Sequence, residues 1–285
     1  MSKADRMWLR RRLLDRAMTG IFSLSMAVVL LPLVFIVVFL VIQGASSINW
    51  NFFTKVPAPV GEPGGGMGNA ILGSFFVILL ASLVGVPIGL LGGIFLGEFP
   101  GSRLSKVTRF AADVLNGTPS IVMGVFAYSV VVMPMHSFSA LAGGFALGIM
   151  MVPIMLRTTD EMLQLVPQMV REASLALGIP YWRTVMSVVL RSAKSGLITG
   201  VLLAMARIAG ETAPLLFTAF NNAFWTTSLV QPIATLPVQI FTYAISPYDD
   251  WHRQAWAGAL FLMLLVFGIN ILVRFVTRQP QEVSS

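Results

Sequence analysis

Two charges set in apolar sequence are the residues best suited to chemistry: Arg207 and Glu211, within Ala206-Arg207-Ile208-Ala209-Gly210-Glu211-Thr212-Ala213-Pro214. An i, i+4 spacing places both on one face of a helix. Arg presents planar, forked donors suited to an oxyanion and keeps its charge at any relevant pH. A carboxylate beside it repels anions, unless the anion still carries a proton; the carboxylate then accepts that hydrogen bond and turns away anions lacking one. The competing reading is an ion pair that neutralises itself and pins helices, although Arg-then-Glu is the weaker order for such a pair. Gly210 and Pro214 predict locally irregular helix, which membrane proteins tolerate where it lines a cavity. Other chemistries have little to draw on. With no Cys there is no disulfide, thiolate metal site or Cys nucleophile, and His136 and His252 lie too far apart in sequence to suggest a metal centre or a triad.

The elements that position this pair follow from composition. Of 285 residues, 56% are hydrophobic and 11% charged, against about 25% charged in soluble domains. The fold class expected is therefore all-α, a polytopic membrane protein. Six segments reach the roughly 20 apolar residues that a spanning helix needs: 17–43, 69–96, 118–133, 138–155, 195–220 and 256–275. The third and fourth, joined by a four-residue turn, are expected to be an antiparallel pair. Of the 19 Lys and Arg, sixteen fall before the first span, after the last, or in alternate loops, two (Lys55, Arg253) in the opposite loops, and Arg207 inside a span. The positive-inside rule places both termini in the cytoplasm. It also makes the high pI a topology signal, so nucleic acid is not an expected partner. The basic N-terminal stretch with Trp8 reads as an interfacial anchor for membrane lipids. If the fifth span begins near Ser195, Arg207 lies about 18 Å along it, near the midplane. An intramembrane charge there is by default functional.

Residues 1–68 read as a peripheral unit: basic N-terminus, first helix, and an outer loop with an amphipathic piece (Asn49 to Phe53) followed by a flexible Pro/Gly-rich link. Residues 69–285 read as a five-helix core. Gly73, Gly85, Gly89, Gly92, Gly93 and Gly97 in the second span support close helix packing. The inner loop at about 157–194 is not linker-like. Residues 168–177 form an amphipathic helix with Val170, Ala173 and Leu177 on one face, stopped by Gly178-Ile179-Pro180, and 181–190 a second helix leading into the fifth span. Such a protrusion either lies on the membrane or is gripped by a soluble partner. Outside, the apolar 221–251 stretch is expected to hold a short interfacial or re-entrant helix.

Glu172-Ala173-Ser174, with Gly178 and the later Val188-x-Leu190, resembles the EAA loop of ABC importer permeases, with Ser174 and Arg191 departing from its pattern. The stretch Arg207 to Leu216 looks like the signature of the PstA family of phosphate importer permeases. Leu115-Asn116-Gly117-Thr118-Pro119-Ser120-Ile121-Val122-Met123-Gly124 resembles that family's segment at the start of the third span. The resemblance covers nearly all of the chain beyond the first span. It implies a type I ABC importer permease fold with six transmembrane helices, five of them the permease core, and a function as permease subunit of an ATP-driven phosphate importer in the cytoplasmic (inner) membrane. Phosphate near neutral pH carries a proton whose hydrogen bond Glu211 could accept, and sulfate does not. The substrate path expected is Arg207, Glu211, Thr118 and Ser120, although Thr118 and Ser120 also suit simple helix-start capping. ATPase coupling is expected at Arg171, Glu172, Ala173, Ser174 and Gly178, where small side chains permit docking and Gly178 a sharp turn. The chain has no Gly-x-x-x-x-Gly-Lys-[Ser/Thr] loop. No cofactor is therefore expected on it, and ATP and Mg are used by separate ATPase subunits. The other implied partners are a second homologous permease subunit and a periplasmic phosphate-binding protein. The alternative is an importer of another solute, such as sulfate or an amino acid. An intramembrane enzyme lacks a nucleophile and base at span depth, and a passive channel has no use for such a loop.

Overall fold

The computed structural model describes residues 3–60, 62 and 64–276; Arg278, one of the inner basic residues, lies outside them. Among the described residues the only regular structure is helical. Five helices are long and apolar enough to span a membrane, and a sharply bent pair supplies a sixth. Helix α1 (Lys3–Gly44) continues through Pro32 and rests on the last helix, α11 (Asp249–Val276), where Phe39 meets the Trp256 ring edge-on at 5.1 Å. The outer loop carries α2 (Trp50–Thr54), started by the Asn49 side chain accepting from the Phe52 amide at 3.1 Å.

The Pro/Gly-rich segment expected to be a flexible link is instead folded back on α2. The Gly66, Met67 and Gly68 amides donate to the Val56, Phe52 and Lys55 carbonyls at 3.0, 2.8 and 3.0 Å. Gly64 and Gly65 make the reversal with φ of 101° and 79°, a region closed to most side chains. Phe52 is thereby buried with Met67, Leu236 and Tyr243 in an outer core.

The main body is built on α3 (Gly68–Glu98) and α6 (Ala140–Gln164), the most extensively packed pair. A side chain added at Gly85, Gly89, Gly93 or Gly97 of α3 would meet Met151, Met155, Thr159 or Leu163 of α6. Both series advance by four residues in the same direction, so the two helices run parallel with their backbones close, as small-residue seams allow. On its other flank α6 meets α8 (Tyr181–Ile208) antiparallel, with Gly196 against Met162 and Gly200 against Thr158.

Three expected boundaries move. The fourth span continues to Gln164, because the charges Arg157, Asp160 and Glu161 find partners there: Glu161 pairs with Arg157 at 2.9 Å, and Asp160 with Arg109 at 2.8 Å. The fifth begins at Tyr181 rather than near Ser195, since 181–190 merges into it through a π-helical stretch, Val185–Val189, and it stops at Ile208. The third is preceded by α4 (Arg103–Gly117), an amphipathic helix not anticipated, which turns by 102° into α5 (Ser120–Met135). Although α5 does contact α6, the principal partner of α6 is α3, not α5. The outer 221–251 stretch does contain a short helix, α10 (Leu236–Ala244), packed on α11.

A β-carbon at Gly89 would lie 2.9 Å from the Val152 carbonyl oxygen, whereas one at Gly20 in α1 meets nothing within 4 Å. Gly89→Val is expected to cost about 1–3 kcal/mol, seen as a lower unfolding midpoint in detergent, with Gly20→Ala unchanged.

Candidate functional site

Two chain breaks meet halfway along α6. The first ends α8. After Ile208 the Gly210 and Glu211 amides turn back to the Arg207 and Ile208 carbonyls at 3.4 and 3.2 Å, and α9 (Ala213–Leu216) starts a new direction with Pro214 in its first turn. The second is the α4–α5 elbow at Gly117-Thr118-Pro119. The breaks are pressed together where Gly124 of α5 faces Pro214; an added β-carbon there would lie 2.6 Å from the Pro214 Cα.

Between them lies a pocket of about 190 Å³, against the ~10–15 Å³ that one water needs. Its wall includes Asn116, Thr118, Ser120, Arg207 and Glu211, backed by Met150 and Ile154 of α6. All four residues expected on the substrate path therefore line one cavity. Met150 and Ile154 sit near the middle of a helix about 37 Å long, so the site is at half depth. Arg207 is about 39 Å from the start of α8, because the basic stretch with Arg183, Arg191 and Lys194 forms the first turns of that helix.

The expected i, i+4 helical pair is not formed, since the helix ends before Glu211. Among the described residues no ion pair joins Arg207 to Glu211; the four that occur lie elsewhere. The Thr118 hydroxyl donates to the Val114 carbonyl at 2.9 Å, closing the end of α4. Ser120 does not cap α5, whose N-cap is Pro119 with no side-chain bond. Ser120 thus lines the pocket as the first residue of α5, at the helix's positive end, the kind of terminus that suits an anion. Asn116 lines the pocket as well, although it drew attention in the sequence only as part of a motif.

The elbow is held by a contact invisible in the sequence. Arg109 of α4 grips Asp160 of α6 with two bonds, Nε to Oδ2 at 2.8 Å and Nη2 to Oδ1 at 3.0 Å, and Nη2 also reaches the Leu96 carbonyl at 3.0 Å. Asp160 is 2% exposed, and removing one partner of such a buried pair leaves an uncompensated charge.

Beyond the end of α6, α7 (Gln168–Ala176) ends in a Schellman turn. Gly178, at φ 75°, donates to Leu175 at 2.9 Å, and Ile179 donates to Ser174 at 3.4 Å. The burial differs from the expected apolar face. Arg171 and Ser174 point inward, Ser174 sharing a 2.9 Å hydrogen bond with Thr184, while Val170 is half-buried. Arg171 donates to the Val166 and Leu163 carbonyls at 2.7 and 3.0 Å and to Glu98 at 3.0 Å. Glu172, Ala173 and Gly178 are exposed, together with Met169 at 76% and Leu177 at 80%.

The family model for binding-protein-dependent transport system inner membrane components matches residues 85–280, a span that contains every pocket residue. The phosphate transport system permease protein PstA of Yersinia pestis is 48% identical over 257 residues, 89% of this chain and 87% of that one. The PstA protein of Haemophilus influenzae is 46% identical over 266 residues, 93% and 94% of the two chains. The probable PstA protein of Methanocaldococcus jannaschii is 33% identical over 94% and 95%. Among solved structures, an inward-facing MetNI methionine ABC transporter shares the fold with a TM-score of 0.57 at 18% identity, over 74% of this chain and 92% of that one. An amino acid ABC transporter does so with a TM-score of 0.54 at 17% identity, over 73% and 91%.

Because the chain has no cysteine, single-cysteine variants read the pocket cleanly. Ser120→Cys is expected to react with a small water-soluble thiol reagent about tenfold faster or more than Met155→Cys, whose native side chain is fully buried.

Proposed function

We propose that this chain, which belongs to the family of binding-protein-dependent transport system inner membrane components, is the transmembrane permease subunit of an ATP-driven importer of inorganic phosphate. The observation that carries the reading is the convergence of Arg207, Glu211, Thr118 and Ser120 on one half-depth pocket, in a chain 44–48% identical to phosphate permeases over most of its length. The Arg207 fork takes two phosphate oxygens, and the Ser120 hydroxyl and the α5 amides take a third. Glu211 accepts a hydrogen bond from the proton that phosphate retains and repels sulfate, which has none. Arg207 and Glu211 can serve separate edges of one ligand because they are not tied to each other.

Arg207, which lines the pocket, is exposed, and so are the apolar Ile121, Val122, Val125 and Phe126 of α5, the helix that begins at the pocket. A second homologous permease subunit closes that side. The exposed Met169, Glu172, Ala173 and Leu177 face of α7 docks on an ATPase subunit, since bare apolar side chains on a surface helix mark an interface. Arg171 and Ser174 serve the same coupling from within, holding α7 to the bundle. ATP and Mg are handled by that partner, and this chain supplies no hydrolytic site and binds no cofactor. Both termini lie in the cytoplasm. The outer surface, with Trp50, Phe224 and Trp225 exposed, receives a periplasmic phosphate-binding protein.

Arg207→Ala should lower concentrative phosphate uptake about a hundredfold while the complex still assembles, the scale of a lost charge-assisted contact. Uptake at the wild-type rate would remove Arg207 from the path. Glu211→Gln should bind phosphate but lose preference over sulfate in competition assays; unchanged preference would end the proton-reading role. Gly178→Val forces a branched side chain into the left-handed region, and should raise the ATP consumed per phosphate moved.

A further inference from the structure

The importer reading leaves one buried carboxylate without a role. Glu98 is the last residue of α3, and its side chain is only 2% exposed. A negative charge at a helix C-terminus opposes the helix dipole, and a buried ion pair is commonly no more stable than an apolar replacement. Static stability therefore does not account for it. Its connections do. Oε1 accepts from Arg171 of α7 at 3.0 Å, and Oε2 accepts from the Tyr181 hydroxyl at 2.7 Å. Tyr181 is the first residue of α8, the helix whose far end carries Arg207. Arg171 is at the same time bonded to the Leu163 and Val166 carbonyls at the end of α6. One carboxylate thus joins the exposed α7 protrusion to α3 and to α8, while the guanidinium it grips reaches the end of α6. Room for the joint to rearrange lies beside it, in an inner cavity of about 730 Å³ lined by Glu98, Arg109, Arg171, Leu175 and Tyr181.

We infer that Glu98, with Tyr181, is the junction through which displacement of α7 is delivered to the pocket-forming helices. Both are positioning residues for transport and touch neither phosphate nor ATP. The junction rests on the importer reading above. Each oxygen of Glu98 serves a different moving part: Arg171 brings the push, and Tyr181 passes it to α8 as a rigid body. Loss of one bond should leave the ATPase contact face of α7 untouched and break the transfer.

The test uses the complete importer complex in proteoliposomes with phosphate-loaded binding protein, measuring ATP hydrolysis and phosphate uptake in the same sample. Tyr181→Phe removes one hydrogen bond and no volume. It is expected to keep ATP hydrolysis near the wild-type rate and to raise ATP consumed per phosphate about tenfold, the scale of a hydrogen bond to a charged group. Glu98→Gln, which removes the charge and keeps the volume, should do the same. An unchanged ratio in Tyr181→Phe and Glu98→Gln, whether both rates persist or fall together, overturns the junction while wild-type transport stands. A wild-type complex that hydrolyses ATP and moves no phosphate overturns the importer reading, and the junction with it.

Discussion

A helix that stops halfway through a bilayer leaves backbone groups that lipid cannot satisfy, so the break must be sealed by protein or open onto a wet cavity. The end of α8 at Ile208 meets this constraint in both ways. Local turns use the Arg207 and Ile208 carbonyls left at the helix end, which accept from the Gly210 and Glu211 amides, and Pro214 has no N–H to satisfy. The opposite wall carries a second break, the α4–α5 elbow, at the same depth. Two irregular segments facing each other concentrate polar atoms in a plane where regular helices would offer none, and Met150 and Ile154 of α6 supply the apolar backing.

Charge placement divides the molecule in the same way. At the inner ends of α3 and α6, charges are fully partnered: Arg109 with Asp160, and Arg171 with Glu98. These pairs join segments remote in sequence and fix where elements begin and end. At half depth, Arg207 and Glu211 share a cavity without sharing a bond. A cation and an anion left apart in one cavity forgo a stabilising pair and are well suited to a ligand that brings both an oxyanion edge and a proton.

Much of this was legible in the residues. The apolar runs gave the spans, the lone Arg and Glu in the fifth gave the pocket, and Gly178 gave the turn after α7. What was not legible depends on contacts across the fold. Nothing near Asp160 in sequence says that it belongs with Arg109, and so the inward extension of α6 was missed. The 102° elbow follows from that same contact and from Pro119, which alone signals only an extended residue. Ser174 reads as a small docking residue, but its hydroxyl has a buried partner in Thr184, ten residues on. Glu98 does carry a legible signal, because a carboxylate in the last turn of an apolar helix is electrostatically misplaced and so implies a cation nearby.

The glycine seam between α3 and α6 also bears on how such a permease can change its ligand over evolutionary time. Four successive positions on α3 face α6 with no space for a β-carbon, and the matching row on α6 is equally committed. That seam, next to the pocket-lining Met150 and Ile154 on α6, is closed to substitution, since any side chain there parts the bundle before it reshapes the cavity. Variation in selectivity is confined to the other side, to Asn116, Thr118, Ser120 and the turn carrying Glu211, where the chain is already irregular and a new residue alters the lining without disturbing a helix pair. One rigid flank thus makes the opposite flank the adaptable one.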